Sequence, residues 1–136
     1  MCTVYVKEHG ILDILKKVFT YCTKLCRKEA LWLVSNIAAN SEEDANSIAD
    51  SSLMLNLLCA CRDSAHEMRK EAIWALSNIF FKVTDKARIE RLVEQDVMST
   101  VLEMLSRDGD SGSIASLGLT TINELLTKSD NAMLAF

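Results

Sequence analysis

The sequence predicts an all-helical chain whose helices stack as successive units of a solenoid. Three observations carry that expectation. Proline is absent and glycine occurs four times in 136 residues. Apolar residues recur at i, i+3 and i+4 along most of the chain, with no sustained period-two alternation. The phrase "RKEALWLVSNI", from Arg27 to Ile37, returns 42 residues later as "RKEAIWALSNI", from Arg69 to Ile79. A further shift of 43 sets Ala72 on Ala115, where "ASLGLTTINELL" keeps the apolar positions and loses both Trp and Asn. A period in the low forties built from helices alone marks an armadillo or HEAT-type array, whose units bury their apolar faces only against one another.

The elements follow in order. The first unit is incomplete. Residues 1–10 are at most the tail of an earlier helix, followed by helices over about 11–21 and 25–39. In the second unit, Ser41 with Asp44 three residues on resembles a capping box and opens a short helix near 42–50. The segment "LMLNLLCAC" forms the next helix, near 52–61, and is apolar on nearly every side, which predicts burial. Ser64 with Glu67 repeats the capping pattern ahead of a helix near 65–81. The third unit places helices near 85–95, 98–107 and 113–128, with the turn-prone "SRDGDSGS" of residues 106–113 before the last. Three helices per unit favour the armadillo form over the two of HEAT. The expected architecture is a single armadillo-repeat, right-handed α-solenoid domain over 1–136. It holds about two and two-thirds repeats: a partial repeat at 1–40, repeats at 41–82 and 83–128, and the start of a further helix at 129–136. With no obvious polar capping unit at either end, the chain reads as a slice of a longer array with possible self-association through its uncapped ends.

Composition narrows the function classes. Forty-nine per cent apolar and 25 per cent charged residues describe a folded globular chain. No apolar run approaches the roughly 20 residues of a membrane span, and the start lacks the pattern of a signal peptide, so no membrane partner and an intracellular setting are expected. Cys2, Cys22, Cys26, Cys59 and Cys61 have no disulfide-scaffold spacing and read as small buried hydrophobes in a reducing compartment. Neither His9 nor His66 belongs to a metal-ligand pair, no C-x-x-C occurs, and no metal or other cofactor is expected. A net charge of −4 argues against direct nucleic-acid binding and permits a basic partner. No G-x-S-x-G, Walker loop or partnered nucleophile occurs, so the chain is not expected to be an enzyme. The sign-alternating run from Asp85 to Asp96 reads as the wet face of a helix.

The repeated phrase contains two interleaved patterns. At about 100° per residue, with Ala30 at zero, Leu33, Val34 and Ile37 fall within about 60° of it and form an expected core stripe. Trp32, Asn36 and Glu29 fall at about 200°, 240° and 260°, away from that stripe. Ala72, Ala75, Leu76 and Ile79 repeat the core pattern, and Trp74, Asn78 and Glu71 repeat the other. If third helices of successive units lie side by side, the tryptophans form a ladder with the asparagines beside it. An asparagine amide both donates to and accepts from an extended backbone. Tryptophan faces make slots for lysine or arginine stems, at about 0.5–2 kcal/mol of cation–π attraction each. Glu29 and Glu71 stand where a basic head would emerge, so the ligand this chemistry suits is a Lys/Arg-rich segment in extended form.

"RKEALWLVSNI" and "RKEAIWALSNI" resemble the third helices of armadillo repeats in the importin-α family of nuclear-import adaptors. The repeat phase, the W-x-x-x-N pair and the preceding K-E-A all match, over about residues 5–128. The resemblance implies that Trp32, Asn36, Trp74 and Asn78 bind basic nuclear-localisation signals of cargo proteins. It also implies that Lys28, Ser35 and Glu71 line the same groove. Two ladder units followed by one without Trp and Asn resemble the C-terminal end of that array, where the smaller of two signal sites lies. Leu117 and Thr121 would then hold the ladder positions of the last unit, and the groove would end there. The implied location is cytoplasm and nucleus. The basic segment through which the family recruits an importin-β-like carrier is not in this sequence, so these residues alone are not expected to perform import. Departures include the missing proline ahead of the second helices, and Asn40 or Phe81-Lys82 where a glycine follows the asparagine. The alternative reading is a generic armadillo interaction scaffold whose Trp/Asn pairs serve packing between repeats.

Overall fold

Local chemistry sets where each helix starts. The computed structural model of the protein describes residues 10–129. Gly10, in the left-handed region at φ 60°, precedes α1 (Ile11–Tyr21), a conformation glycine adopts without steric cost. The Thr23 hydroxyl accepts from the Cys26 N–H and opens α2 (Lys24–Asn40). Ser41 Oγ accepts from the Asp44 N–H at 3.0 Å and opens α3 (Glu42–Ala49). Three acids in the first turn of α3 complement the positive end of its dipole. Next come α4 (Leu53–Ala60), α5 (His66–Lys82), α6 (Lys86–Val93), α7 (Val97–Asp108) and α8 (Gly112–Lys128). Among the described residues there are eight helices and no strand.

The expected capping box at Ser64 and Glu67 does not form. Asp63 Oδ1 takes the Ala65 N–H at 2.8 Å, and the Ser64 carbonyl accepts from Arg69 Nη1 at 2.9 Å. The short Asp side chain closes its own turn two residues on, and Ala65 becomes the N-cap with no side-chain hydrogen bond.

The three long helices pack side by side, α2 along α5 and α5 along α8, with the shorter helices α3, α4 and α7 against them. Leu31, Ile48, Leu53, Leu57, Ile73, Leu76, Ile79, Phe80, Ile89 and Leu92 are fully buried along this stack. Each such side chain contributes about 1.5–3 kcal/mol of transfer free energy. Polar ties cross from unit to unit. The Arg88 guanidinium grips Asp50 through Nε at 2.7 Å and Nη2 at 2.8 Å, and Arg91 adds a third contact at 2.7 Å. Lys128 Nζ donates to the carbonyls of Phe80, Phe81 and Val83 and so satisfies the open C-terminal end of α5.

Three expectations are corrected. Leu33 is 41% exposed, while Leu31 and Ser35 join Ala30, Val34 and Ile37 in the buried set of α2. The buried arc turns toward α5, which covers the Leu31/Ser35 flank. The Leu33 flank has no second long helix on it among the described residues, whereas its counterpart Ala75 in α5 faces α2 and is fully buried.

The second correction is the register of α8. Helix α5 begins 42 residues after α2, but α8 begins 46 after α5: α7 has 12 residues where α4 has 8, and a linker two residues longer before α6 is offset by one two residues shorter before α8. The places of Trp74 and Asn78 therefore fall to Thr120 and Glu124. Thr121 is fully buried, with its hydroxyl donating to the Leu117 carbonyl at 2.8 Å, and Leu117 packs against the core. Gly118 takes the place of Ala72. A Cβ there would lie 2.8 Å from Leu105 Cδ2, so the extra length of α7 is seated against a bare backbone.

The third concerns the cysteines. Cys61 alone of the described four is buried; Cys22, Cys26 and Cys59 are exposed. The "LMLNLLCAC" helix is likewise buried on most sides but leaves Leu55 57% exposed. Cys2, His9, the expected tail of an earlier helix in residues 1–9 and the expected further helix past Ser129 lie outside the described residues.

Candidate functional site

The faces of α2 and α5 that turn away from the core carry the repeated polar pattern. Trp32 is 58% exposed and Trp74 47% exposed, against the strong tendency of tryptophan to be buried. Asn36 and Glu29 are exposed beside Trp32, and Glu71 and Asn78 are half-buried beside Trp74. The two indoles flank a cleft of about 280 Å³ with Asn36, Lys70 and Glu71 on its walls. A second cleft, of about 260 Å³, lies on the other side of Trp32 and is bounded by Lys28, Glu29 and Glu71. Trp32 and Glu71 line both, so the face offers two consecutive slots along the seam.

Asn78 bridges that seam. Its Nδ2 donates to Ser35 Oγ at 2.8 Å and to the Ser35 carbonyl at 3.1 Å. Both contacts use the amide nitrogen and neither uses its carbonyl oxygen. Ser35, placed at the groove by the family resemblance, is 2% exposed and holds Asn78 from below. Ser35 also lines the cleft between the indoles, and its hydroxyl positions Asn78 beside it.

Charge on the face is mixed. Lys28 Nζ meets Glu67 Oε2 at 3.0 Å across the seam. That hydrogen bond and the charge of Glu67, helped by Glu71 and Glu29, hold the Lys28 ammonium above its ordinary pKa. The same contact with Lys28 holds the Glu67 carboxyl below the usual range. Lys28 is thus already matched; Glu71 is the acid that borders both slots, and Glu29 borders the second alone.

Two residues of this face escaped the reading of the sequence. Lys70 lines the slot between the indoles and is the repeat counterpart of Lys28, so the 42-residue shift could have found it. Glu67 is the partner of Lys28, and its only sequence signal was a capping role it does not fill. The face presents aromatic planes, amides and carboxylates in a row, which suits capture of an extended cationic chain. No two of its side chains form a nucleophile and base pair.

Comparison with known proteins agrees with this architecture. A family model described as a HEAT-like repeat matches residues 25–79. Over 111 residues the chain is 25% identical to a probable importin subunit alpha-A of Dictyostelium discoideum, covering 79% of this chain and 20% of that protein. Over 79 residues it is 33% identical to importin subunit alpha-5 of Arabidopsis thaliana, covering 58% of this chain and 15% of that protein. The chain therefore spans about a fifth or less of the length of these curated relatives. Among solved structures it is similar to a designed armadillo repeat protein in complex with the peptide (KR)4. The TM-score is 0.83 at 23% identity, over 97% of this chain and 54% of that one. The fold is the armadillo-type solenoid, and the likeness to importin-α subunits is weak but consistent.

Proposed function

We propose that this armadillo-type solenoid binds peptides, taking a Lys/Arg-rich segment in extended form along the face shared by α2 and α5. The single observation behind the reading is the pair of solvent-exposed indoles, Trp32 and Trp74, on consecutive long helices with an acid-bordered slot between them. In this reading the asparagine amides of Asn36 and Asn78 pair with the peptide backbone, lysine or arginine stems lie against the indoles, and Glu29 and Glu71 meet the charged heads. Recognition needs no catalytic step. The likeness to importin-α subunits supports nuclear-localisation signals of cargo proteins as the natural ligands, at a site like the smaller of the two in that family. The designed neighbour, which holds (KR)4, supports basic peptide chemistry on this fold. Work in cytoplasm and nucleus, and recruitment of an importin-β-like carrier through a segment other than these residues, belong to the same proposal.

A packing role for the ladder is favoured by one observation, the Asn78 to Ser35 hydrogen bond across the seam. The two roles are compatible, because that bond uses only the nitrogen of the amide. Titration of a lysine-rich peptide against the intrinsic tryptophan fluorescence tests the proposal. A saturable change that Trp74→Ala weakens markedly is expected. No saturable change, or one that Trp74→Ala leaves intact, would sink it.

A further inference from the structure

A second cleft lies away from the tryptophan face, where α1, α2, α4 and α5 meet. It measures about 260 Å³, is lined by Phe19, Arg27, Asn56, Cys59, Asp63 and Met68 among others, and shares no lining residue with the clefts at Trp32 and Trp74. Arg27 is the repeat counterpart of Arg69, each the fourth residue of its helix, and the two are treated very differently.

Arg69 is fully matched. Its Nε and Nη2 hold the Asp108 carboxylate at 2.7 and 2.8 Å, and its Nη1 donates to the carbonyls of Asp63 and Ser64, both at 2.9 Å. Arg27 has the same fork, but its Nε is buried with no acceptor. The reason lies one unit back. Asp108 stands four residues ahead of α8, and the residue four ahead of α5 is Arg62, which turns outward to Glu103 at 2.8 Å. The nearest acid, Asp63, feels the Arg27 charge. Its Oδ1, however, already accepts from the Ala65 N–H at 2.8 Å and lies 3.2 Å from Lys24 Nζ. A buried guanidinium N–H without an acceptor is costly, and the planar fork fits a carboxylate better than any other common protein group.

The rim of the cleft is unusual in the same unit. Leu55 and Cys59 are exposed on α4. The corresponding positions, counted from the helix starts, are Asp13 and Lys17 in α1 and Ser99 and Glu103 in α7. One unit of three therefore presents an apolar edge beside an arginine whose Nε has no acceptor, its neighbouring acid Asp63 being engaged by Lys24 and the Ala65 N–H.

We propose that this cleft is a second binding site, which takes an Asp or Glu side chain of a partner protein onto the Arg27 guanidinium while the partner's apolar neighbours cover Leu55 and Cys59. The incoming carboxylate draws the sealed Nε–H toward the cleft and then supplies what Asp108 supplies to Arg69. Asn56 stands on the cleft wall to donate to the second oxygen, and Phe19 and Met68 form the floor under the side-chain stem. The site prefers acidic segments, the opposite of the preference proposed for the tryptophan face, so the two can be occupied and tested separately.

The test is nitrogen–proton NMR of the arginine Nε–H groups during titration with the peptide acetyl-Leu-Ala-Glu-Ala-Leu-amide. Its neutral counterpart, with Gln in place of Glu, is the control. The Arg27 Nε–H is expected to shift saturably toward the position of Arg69, together with the backbone amides of Asn56 and Cys59, while the Trp32 and Trp74 indoles stay still. Arg27→Lys keeps the charge and loses the fork, and is expected to weaken binding about tenfold or more at an unchanged melting temperature. An equal response to the neutral peptide, a response confined to the indoles, or unchanged affinity in Arg27→Lys overturns the proposal. If Arg27→Lys melts early, the comparison of the two peptides on the unaltered chain decides alone.

Discussion

Asn78 donates its side-chain N–H to the hydroxyl of Ser35 at 2.8 Å, across the seam between two consecutive long helices. One amide thus ties repeat to repeat while lying beside an exposed indole, and the two duties can be separated by mutation. Ser35→Ala removes the hydroxyl and leaves the carbonyl contact. It is expected to cost about 0.5–1.5 kcal/mol in denaturant unfolding and to weaken basic-peptide binding less than Asn78→Ala does. Equal losses of binding in the two variants would mean that the amide serves packing alone.

Acrylamide quenching reads the placement of the indoles directly. With Trp32→Phe and Trp74→Phe each leaving one reporter, both remaining tryptophans are expected to be readily quenched, Trp32 somewhat more than Trp74, as their exposures of 58% and 47% require. Protection of either ring would favour the packing role. Saturating basic peptide is expected to reduce quenching of both.

The contact between Arg69 and Asp108 is the most enclosed ion pair described here, with side chains 7% and 8% exposed. Removing one partner strands a charge that also supports two carbonyls. Asp108→Ala is expected to destabilise by about 3–5 kcal/mol, measured as a shift of the urea midpoint at constant slope. The exposed contact between Lys28 and Glu67 offers the contrast: Glu67→Gln is expected to leave the midpoint nearly unchanged.

Acid stability follows from the direction of the carboxyl shifts. Hydrogen bonds from Arg88 to Asp50, from the Ala65 N–H to Asp63 and from Arg69 to Asp108 hold all three carboxyls below the usual range. A depressed native pKa contributes stability that is complete above the unfolded value of about 4 and is lost as pH falls through the lower native value. Melting temperatures are expected to be level from about pH 7 to 5 and to fall below about pH 4. A decline that begins between pH 7 and 6 would point to another group.

Much of this was legible in the chain, and the exceptions share a cause. Helix boundaries fell within two residues of expectation because caps such as Ser41 and Asp85 act on their own backbone. The outward placement of Trp32 and Trp74 followed from helical geometry alone. What failed depended on neighbours. The Leu33 flank needed knowledge of which side of α2 is covered, and Arg27 and Arg69 open the same R-K-E-A phrase yet differ in whether the acid across the seam takes the guanidinium fork. The register of α8 failed because similarity of "ASLGLTTINELL" to the earlier phrase outweighed the unseen extra turn of α7. The structure moves the last ladder positions from Leu117 and Thr121 to Thr120 and Glu124, although neither pair is Trp and Asn.

The central claim is that the face shared by α2 and α5 holds an extended basic segment. Its most direct test is to follow the indole N–H signals of Trp32 and Trp74 and the side-chain amide signals of Asn36 and Asn78 by NMR while a (KR)4 peptide is added. All four sets are expected to shift together and saturate, and to return toward their starting positions as salt is raised. Saturable binding that moves signals elsewhere on the chain and leaves these four still would contradict the account.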